Sequence, residues 1–261
     1  MLRALSTAAT GMEAQQAKID IIAHNLANVN TAGFSKSRAD FEDLLYENLR
    51  AAGTSASEGR EIPVGIQIGH GTRLVATQTV FGAGQLQETG NQLDLAIEGN
   101  GFFTLSLADG RTGYTRAGTF KSNSQGQLTT ADGNLLEPAI TIPQDTTKVT
   151  IGKDGTVSAI LANQPQPTQL GKIQLAAFAN PAGLERIGHN VYIETGASGN
   201  ARQGTPGTGE LGTLSQGMLE MSNVKVVEEM IELIVGQRAY EANSKVIKAA
   251  DEMLHATTNL R

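Results

Sequence analysis

The chain has 261 residues, enough to bury a sizeable core as one large domain or two smaller ones, and it carries a net charge of −6 with an isoelectric point near 5.3. That acidity argues against nucleic acid as the main partner, because phosphate recognition needs a basic surface. Cysteine is absent, which excludes disulfides, thiolate zinc sites and a Cys nucleophile, while aromatic residues make up only 4% and glycine numbers 30, a composition suited to a β-rich, loop-rich body.

At the N-terminus, MLRALSTAATGMEAQQAKID has no unbroken apolar stretch, so no cleavable secretory signal is expected. No run reaches the ~18–20 apolar residues of a membrane span. These rules alone place the protein in the cytoplasm. Leu2, Leu5, Ala9, Met12, Gln16, Ile19, Ala23 and Leu26 follow one another at alternating gaps of three and four. That spacing predicts a helix over the first thirty or so residues with a heptad seam, widened by Ile22 and Val29. An amphipathic helix packed on its own domain is the alternative reading. The helix is expected to finish in His24–Phe34, HNLANVNTAGF, where asparagines and a glycine interrupt residues that still keep helical spacing.

Residues 51–60, AAGTSASEGR, are small and polar, predicting a flexible loop or extended arm. Beyond them the period drops to two. Thr72–Phe81, Leu93–Ile97, Phe102–Leu107 and Tyr114–Phe120 read as strands, as do Val149–Ile151, Val157–Leu161, Ile173–Phe178 and Val191–Glu194. Asp109–Gly110, Asp132–Gly133 and Asp154–Gly155 are hairpin dipeptides between them. Residues 196–217 form a Gly/Ser/Thr-rich return connection.

A second helix is predicted over 223–258, with Ser222 and Asn223 as N-cap candidates and Glu228, Glu229 and Glu232 near its positive end. Ile231 and Ile234 lie in its most apolar run, which Glu232 interrupts. Ala239, Ala242, Val246, Ala249, Met253 and Ala256 repeat the three–four spacing beside a second stripe of Tyr240, Ile247, Ala250 and Leu254. Lone helices of this kind are marginal in water and need a partner along their length. The expected arrangement is therefore α+β: long N- and C-terminal helices paired as a coiled-coil-like core, with a β-rich middle domain.

Catalytic chemistry is not legible. His24, His70, His189 and His255 are scattered without metal-ligand spacing. Gly99–Asn100–Gly101 lacks the third glycine of a nucleotide fingerprint, and neither a phosphate-binding loop nor a nucleophile elbow occurs. Asp109, Asp132 and Asp154 adjoin glycine and read as turn residues. No enzyme, cofactor or metal is expected.

HNLANVNTAGF resembles the N-terminal signature of the bacterial flagellar axial proteins of rod and hook, departing at His24 where Asn is usual. The stretch from Glu229 to Leu254 is similar to that family's terminal helix, with the core Gln237, Arg238, Ala239, Tyr240, Glu241, Ala242, Asn243, Ser244 and Lys245. DLAIEGNGFF, YTRAGTF, GQLTTADGNLL and NPAGLERIGHNVYIET extend the resemblance over nearly the whole chain. MLRALSTAATGMEAQQ, and FEDLLYENLRAAG before IPVGIQIGHG, are most like the distal rod members.

The resemblance implies a structural, self-assembling subunit of a hollow helical drive shaft that crosses the periplasm, transmits torque and forms the wall of an export channel. It implies export without a cleaved signal by the flagellar type III apparatus, which displaces the cytoplasmic inference. It also implies partners: further copies of itself, proximal rod and hook proteins at the two ends, and surrounding ring or bushing proteins. Neither nucleic acid nor membrane insertion is implied. The expected division is 1–33 for the N-terminal helix, 34–72 for a connector with a flexible loop near 46–65, and 73–195 for the β domain. A return connector over 196–222 and the C-terminal helix over 223–261 complete it.

Assembly contacts are expected at Leu2, Leu5, Ala9, Met12, Ile19, Ala23, Leu26, Ile231, Ile234, Ala242, Val246, Ala249 and Met253. The helix-stop motif is Asn25, Asn28, Asn30, Gly33 and Phe34, in which Asn28, Asn30 and Gly33 adopt left-handed φ at low cost. The alternatives are another axial protein or, outside the class, a monomeric periplasmic β-rich module binding carbohydrate or peptidoglycan. An enzyme acting on peptidoglycan is the weakest reading.

Overall fold

The computed structural model describes residues 2–51, 55–57, 60–61, 63–162 and 164–259. The chain forms two compact units: residues 1–26, 37–78 and 225–261 in the first, residues 27–36 and 79–224 in the second.

The first unit holds both helices, α1 over Leu2–Ala27 and α2 over Val226–Asn259, and a long β-hairpin. Ser37–Asp43 pairs with Thr72–Thr79, and Tyr46–Arg50 pairs antiparallel with Ile66–Gly69. The Leu44 N–H donates to Gly71 O at 2.8 Å and the His70 N–H to Leu45 O at 3.2 Å, making the two ladders continuous. The sequence pattern predicts the strand Thr72–Thr79, within Thr72–Phe81, but only a connector over residues 34–72. Its apolar residues mostly remain exposed, so the alternation that marks a half-buried strand is weak there. Residues 52–54, 58–59 and 62 of the expected loop lie outside the described residues.

The helices are antiparallel neighbours. Lys18 Nζ lies 2.5 Å from Glu232 Oε2, and the Asn25 Nδ2 donates to Glu229 Oε2 at 3.2 Å. They do not pair as the coiled-coil-like core that the heptads predicted. Ala8, Ala14, Ile22 and Asn25 are the buried positions of α1, about one residue round from the expected seam, whose Ala9 and Ala23 are exposed. On α2, Glu229, Gly236 and Ala250 are buried, while Ala242, Val246, Ala249 and Met253 are exposed. Knobs-into-holes packing needs large apolar side chains at successive seam positions. Apart from Ile19 and Ile22 the facing residues here are small or polar, so the backbones approach closely instead. A Cβ on Gly11 would stand 2.9 Å from Asn243 Nδ2, and one on Gly236 3.2 Å from Ile19 Cγ1.

α2 begins at Val226, beyond the proposed caps, and the Glu229 N–H donates to Lys225 O at 3.0 Å. Asn223 is occupied elsewhere, as described below, so the N-cap expectation fails.

The second unit is built on a nine-stranded sheet with Phe102–Ser106 at its centre. That strand pairs on one side with Thr112–Thr115 and on the other with Leu175–Ala177 along its first half and Leu135–Glu137 along its second. Successive side chains point to opposite faces. Phe103 and Leu105 therefore enter a core with Leu95, Ile97, Phe120, Leu136, Ile173, Leu175 and Leu214. Phe102 joins a second, aromatic cluster with Tyr114, Phe178, Tyr192 and Phe81. The scarce aromatics are thus concentrated at two points of one sheet. The strand predicted over Tyr114–Phe120 stops at Thr115, because Arg116–Gly118 turns away to other partners.

Beside this sheet, Thr146–Ile151, Thr156–Leu161 and Gln164–Lys172 form a three-stranded meander. The return strands Thr213–Gln216 and Met218–Glu220 pair antiparallel with Leu95–Glu98 and Leu86–Glu88.

Candidate functional site

Within the first unit the candidate assembly residues divide by exposure. The Leu2 side chain lies outside the described residues. Leu5, Met12, Ile19 and Leu26 are half-buried. α2 presents an apolar surface of Val227, Met230, Ile231, Ile234 and Val235, with exposures between 48 and 71%. Of the terminal-helix motif, Gln237, Arg238, Tyr240, Glu241 and Lys245 are exposed, whereas Asn243 packs on Gly11. The hairpin adds exposed Phe41, Leu45, Tyr46, Leu49, Ile66, Ile68, Leu74 and Val75. Among the described residues, all the exposed large apolar side chains belong to the first unit except Leu86 and Ile187.

Asn25 is, with Glu229, one of the buried polar residues described in this unit. Its Oδ1 accepts from the Ser37 N–H and its Nδ2 donates to Ser37 O, both at 2.9 Å, imitating a backbone partner for the first residue of the hairpin.

The remainder of the stop motif belongs to the second unit and is tied down there along its length. α1 ends at Ala27, the Thr31 N–H donates to Asn28 O at 3.1 Å, and the chain reverses at Gly33 with φ of 70°. Asn28 and Asn30 do not take the left-handed conformation expected of them; the non-glycine residues that do, among those described, are His189 and Asn190. Gly33 carries the turn because it alone of the three lacks a Cβ, and it is also pressed against the body. A Cβ there would lie 2.4 Å from Ala117 N.

Its neighbours are held residue by residue. Asn190 Nδ2 donates to Ala32 O at 3.1 Å, and the Gly33 N–H donates to Glu220 O at 2.8 Å. Arg186 hydrogen-bonds Ser35 O and sits over the Phe34 ring, 5.4 Å from its centroid. The Lys36 N–H donates to Asn223 Oδ1 at 2.8 Å, and Asn223 Nδ2 reaches Val80 O at the same distance.

Beneath this socket lies a buried ion pair. Arg116 Nε donates to Glu220 Oε2 at 2.8 Å and Nη2 to Oε1 at 3.1 Å, with the same guanidinium bonding Gly101 O and Gly99 O at 3.2 and 3.0 Å. Glu220 Oε1 also accepts from the Gly84 N–H at 3.0 Å. Each of the three guanidinium nitrogens faces an acceptor, which is the condition under which a buried charge pair is tolerated. Sequence reasoning singled out none of Arg116, Arg186, Asn190 and Glu220, and it read Asn223 as a helix cap. Their partners lie up to 187 residues away in the chain, as with Asn223 and Lys36, and no local spacing reports such distances.

The titration shifts in this unit have structural causes. Burial, with Glu194 and Glu137 nearby, raises the Tyr114 hydroxyl above the ordinary tyrosine value. Hydrogen bonds from the Thr156 hydroxyl and N–H, with Lys172 alongside, lower Asp154. Among the described residues no three His, Asp or Glu side chains gather as a metal site, and no helix is long and apolar enough to cross a membrane. An open groove of about 700 Å³ beside Asn91, Gln92, Asn123, Gln144 and Lys148 carries amides and a single cation.

Two long terminal helices with exposed apolar surfaces, and a β body that grips the turn after the first of them, define a structural protein of the axial type. Three family models match the chain: flagella basal body rod protein over residues 5–34, flagellar hook protein FlgE/F/G D1 domain over 96–159, and flagellar basal body rod FlgEFG protein C-terminal over 215–260. Among curated relatives, the flagellar basal-body rod protein FlgG of Caulobacter vibrioides is 49% identical, with all of both chains covered. That of Borreliella burgdorferi is 48% identical over all of this chain and 99% of its own, and that of Bacillus subtilis 41% identical over all of both. The chain belongs to the flagellar basal-body rod protein family. It is a structural subunit of the distal rod, located in the flagellar basal body, and not an enzyme.

Proposed function

We propose that copies of this chain stack as a helical homopolymer in which α1, the hairpin and α2 make the contacts between subunits. The supporting observation is the segregation of exposed large apolar side chains to the first unit. Large apolar side chains exposed in such numbers on a structural subunit are what a neighbour covers. An isolated two-stranded hairpin is marginal in water, so its strands gain most from a second copy alongside. Leu2, Leu5, Ala9, Met12, Ile19, Ala23 and Leu26 on α1 are assigned to these contacts together with Ile231, Ile234, Ala242, Val246, Ala249 and Met253 on α2.

In this reading segments 1–33 and 223–261 line a central bore, 34–72 and 196–222 connect, and 73–195 forms the outer body. The partners at the ends are proximal rod and hook proteins, ring or bushing proteins surround the tube, and the flagellar type III apparatus delivers the chain; these assignments rest on the family resemblance. Torque passes through rigid packing between subunits.

The double substitution Ile231→Asp and Ile234→Asp places two charges on the apolar surface of α2 without touching the β body. Filament formation in sedimentation and motility of cells carrying the variant should both be lost, with the β signal in far-ultraviolet circular dichroism retained. A variant that still assembles and swims refutes the assignment of that surface.

A further inference from the structure

Three segments of the β body wall an open groove of about 700 Å³: residues 90–93, 122–126 and 142–149. They are tied to one another. The Ile142 N–H donates to Gly126 O at 2.7 Å, and the Val149 N–H to Gln92 Oε1 at 3.1 Å. Asn123 Oδ1 accepts the N–H groups of Gln125 and Gln127, both at 2.9 Å, and Asn91 Nδ2 donates to Asp94 Oδ1 at 3.0 Å. The walls are therefore built before anything enters, and a preformed site loses little to ordering when it binds.

The lining contrasts with the acidity of the chain. None of its described residues is Asp or Glu; Lys148 is the one cation, and amides and hydroxyls surround Leu93, Ile142 and Pro143. Among the described residues, the side chains of Ser124, Gln144, Thr147 and Lys148 make no hydrogen bond within the chain, nor does the Gln92 Nε2 group. A free amide offers donor and acceptor together, which matches the hydroxyls of a sugar and the N-acetyl group of an amino sugar. The three apolar side chains suit ring C–H surface or an acetyl methyl, and Lys148 suits a carboxylate.

Other ligand classes fit less well. A nucleic acid needs several cations and a stacking ring, and the lining has one cation and no aromatic. An extended peptide binds by adding to a sheet edge. The outward side of Thr146–Ile151 is already taken by Gln92, by Gln216 and by the strand Thr213–Gln216, whose Leu214 N–H donates to Lys153 O at 3.1 Å. The volume lies within the ~300–1,000 Å³ of small-ligand sites. The lining has no carboxylate pair with which to cleave a glycosidic bond.

We infer that this groove is a glycan-binding site: it holds a short oligosaccharide bearing N-acetyl groups and a carboxylate, with the carboxylate on Lys148. The groove shares no residue with the surfaces assigned to subunit contacts, so it stands or falls apart from the polymer reading.

The test is saturation-transfer NMR with titration calorimetry on the full chain. The probes are chitotriose, the disaccharide of N-acetylglucosamine with N-acetylmuramic acid, that of N-acetylglucosamine with glucuronic acid, and maltotriose, which has neither amide nor carboxylate. An acidic N-acetylated probe should bind most tightly, chitotriose more weakly and maltotriose not at all. The first acidic probe represents a wall glycan and the second a surface polysaccharide; binding of either through Lys148 supports the site. Lys148→Gln should weaken the acidic probes roughly tenfold, the worth of a hydrogen bond to a charged group, and leave chitotriose unchanged. Ser124→Trp should fill the groove and end binding of every probe. Both side chains are exposed and free of internal bonds, so the variants keep the fold. A parent chain that binds neither acidic probe overturns the proposal. So does maltotriose binding as tightly as they do, or a Lys148→Gln variant that binds them as the parent does.

Discussion

Replacing Arg116 by leucine removes the cation from beneath the turn socket while keeping an apolar side chain of moderate size. In the parent the two charged side chains are 7 and 5% exposed. Arg116→Leu strands the Glu220 carboxylate with the Gly84 N–H as its remaining donor and leaves Gly99 O and Gly101 O without their guanidinium partner. Breaking one side of a buried, hydrogen-bonded ion pair costs about 3–5 kcal/mol, because the surviving charge keeps its desolvation penalty and loses its compensation. For a domain of this size each kcal/mol lowers the melting temperature by roughly 2–4 °C, so the β body should melt about 6–20 °C earlier. Urea unfolding followed by tyrosine fluorescence measures the loss, since the chain has no tryptophan. Removing both charges, Arg116→Leu with Glu220→Leu, should be less damaging than Arg116→Leu alone, because no buried charge then remains unpaired. A single variant within about 1 kcal/mol of the parent refutes the reasoning. So does a double variant less stable than the single.

Two further outcomes follow from the same unit. Gly33→Ala forces an L side chain into φ of 70° and drives its Cβ against the Ala117 backbone; the left-handed conformation alone costs about 1–2 kcal/mol, and the clash adds to it. The urea midpoint should fall by more than the torsional cost alone, and a neutral result would mean that the turn relaxes freely. For Tyr114 the folded-state pKa is raised, so its contribution to stability is complete below the ordinary tyrosine value of ~10 and is lost as pH rises through the folded value. The urea midpoint of the parent should therefore drop above that pH, and Tyr114→Phe should flatten the drop; an equally steep decline in the variant would remove Tyr114 as its cause.

Much of this molecule is written in short-range pattern. Three–four spacing marked both helices, and alternation with Asp–Gly turns marked the central strands of the body, among them Phe102–Ser106, Thr112–Thr115, Thr146–Ile151 and Thr156–Leu161. The asparagine–glycine cluster marked the end of α1. These features depend on residues a few positions apart, which is the range over which helix and strand periodicity act. The same range explains the errors. A heptad says that a helix has an apolar stripe but not which residues will face a partner, and Gly11 and Gly236 drew the backbones together on a line beside the expected seam. The strands Ser37–Asp43, Tyr46–Arg50 and Ile66–Gly69 of the long hairpin went unrecognised because their apolar residues alternate poorly and stay exposed, whereas Thr72–Thr79 falls within a predicted strand.

The sequence by itself determined both helices, the β character of the body, the place where the first helix stops, and the family, because each is carried by contiguous residues. Only the tertiary structure decided what holds those segments. The socket of Arg186, Asn190, Glu220 and Asn223 around residues 32–36, the Arg116–Glu220 pair beneath it, and the glutamine amides on the backbone of Val149 and Ile151 all join residues far apart in the chain. Such bonds exist only once the sheets have paired. A lone arginine or glutamine in a sequence reads as surface until folding removes the water around it and leaves a backbone carbonyl or a carboxylate in its place.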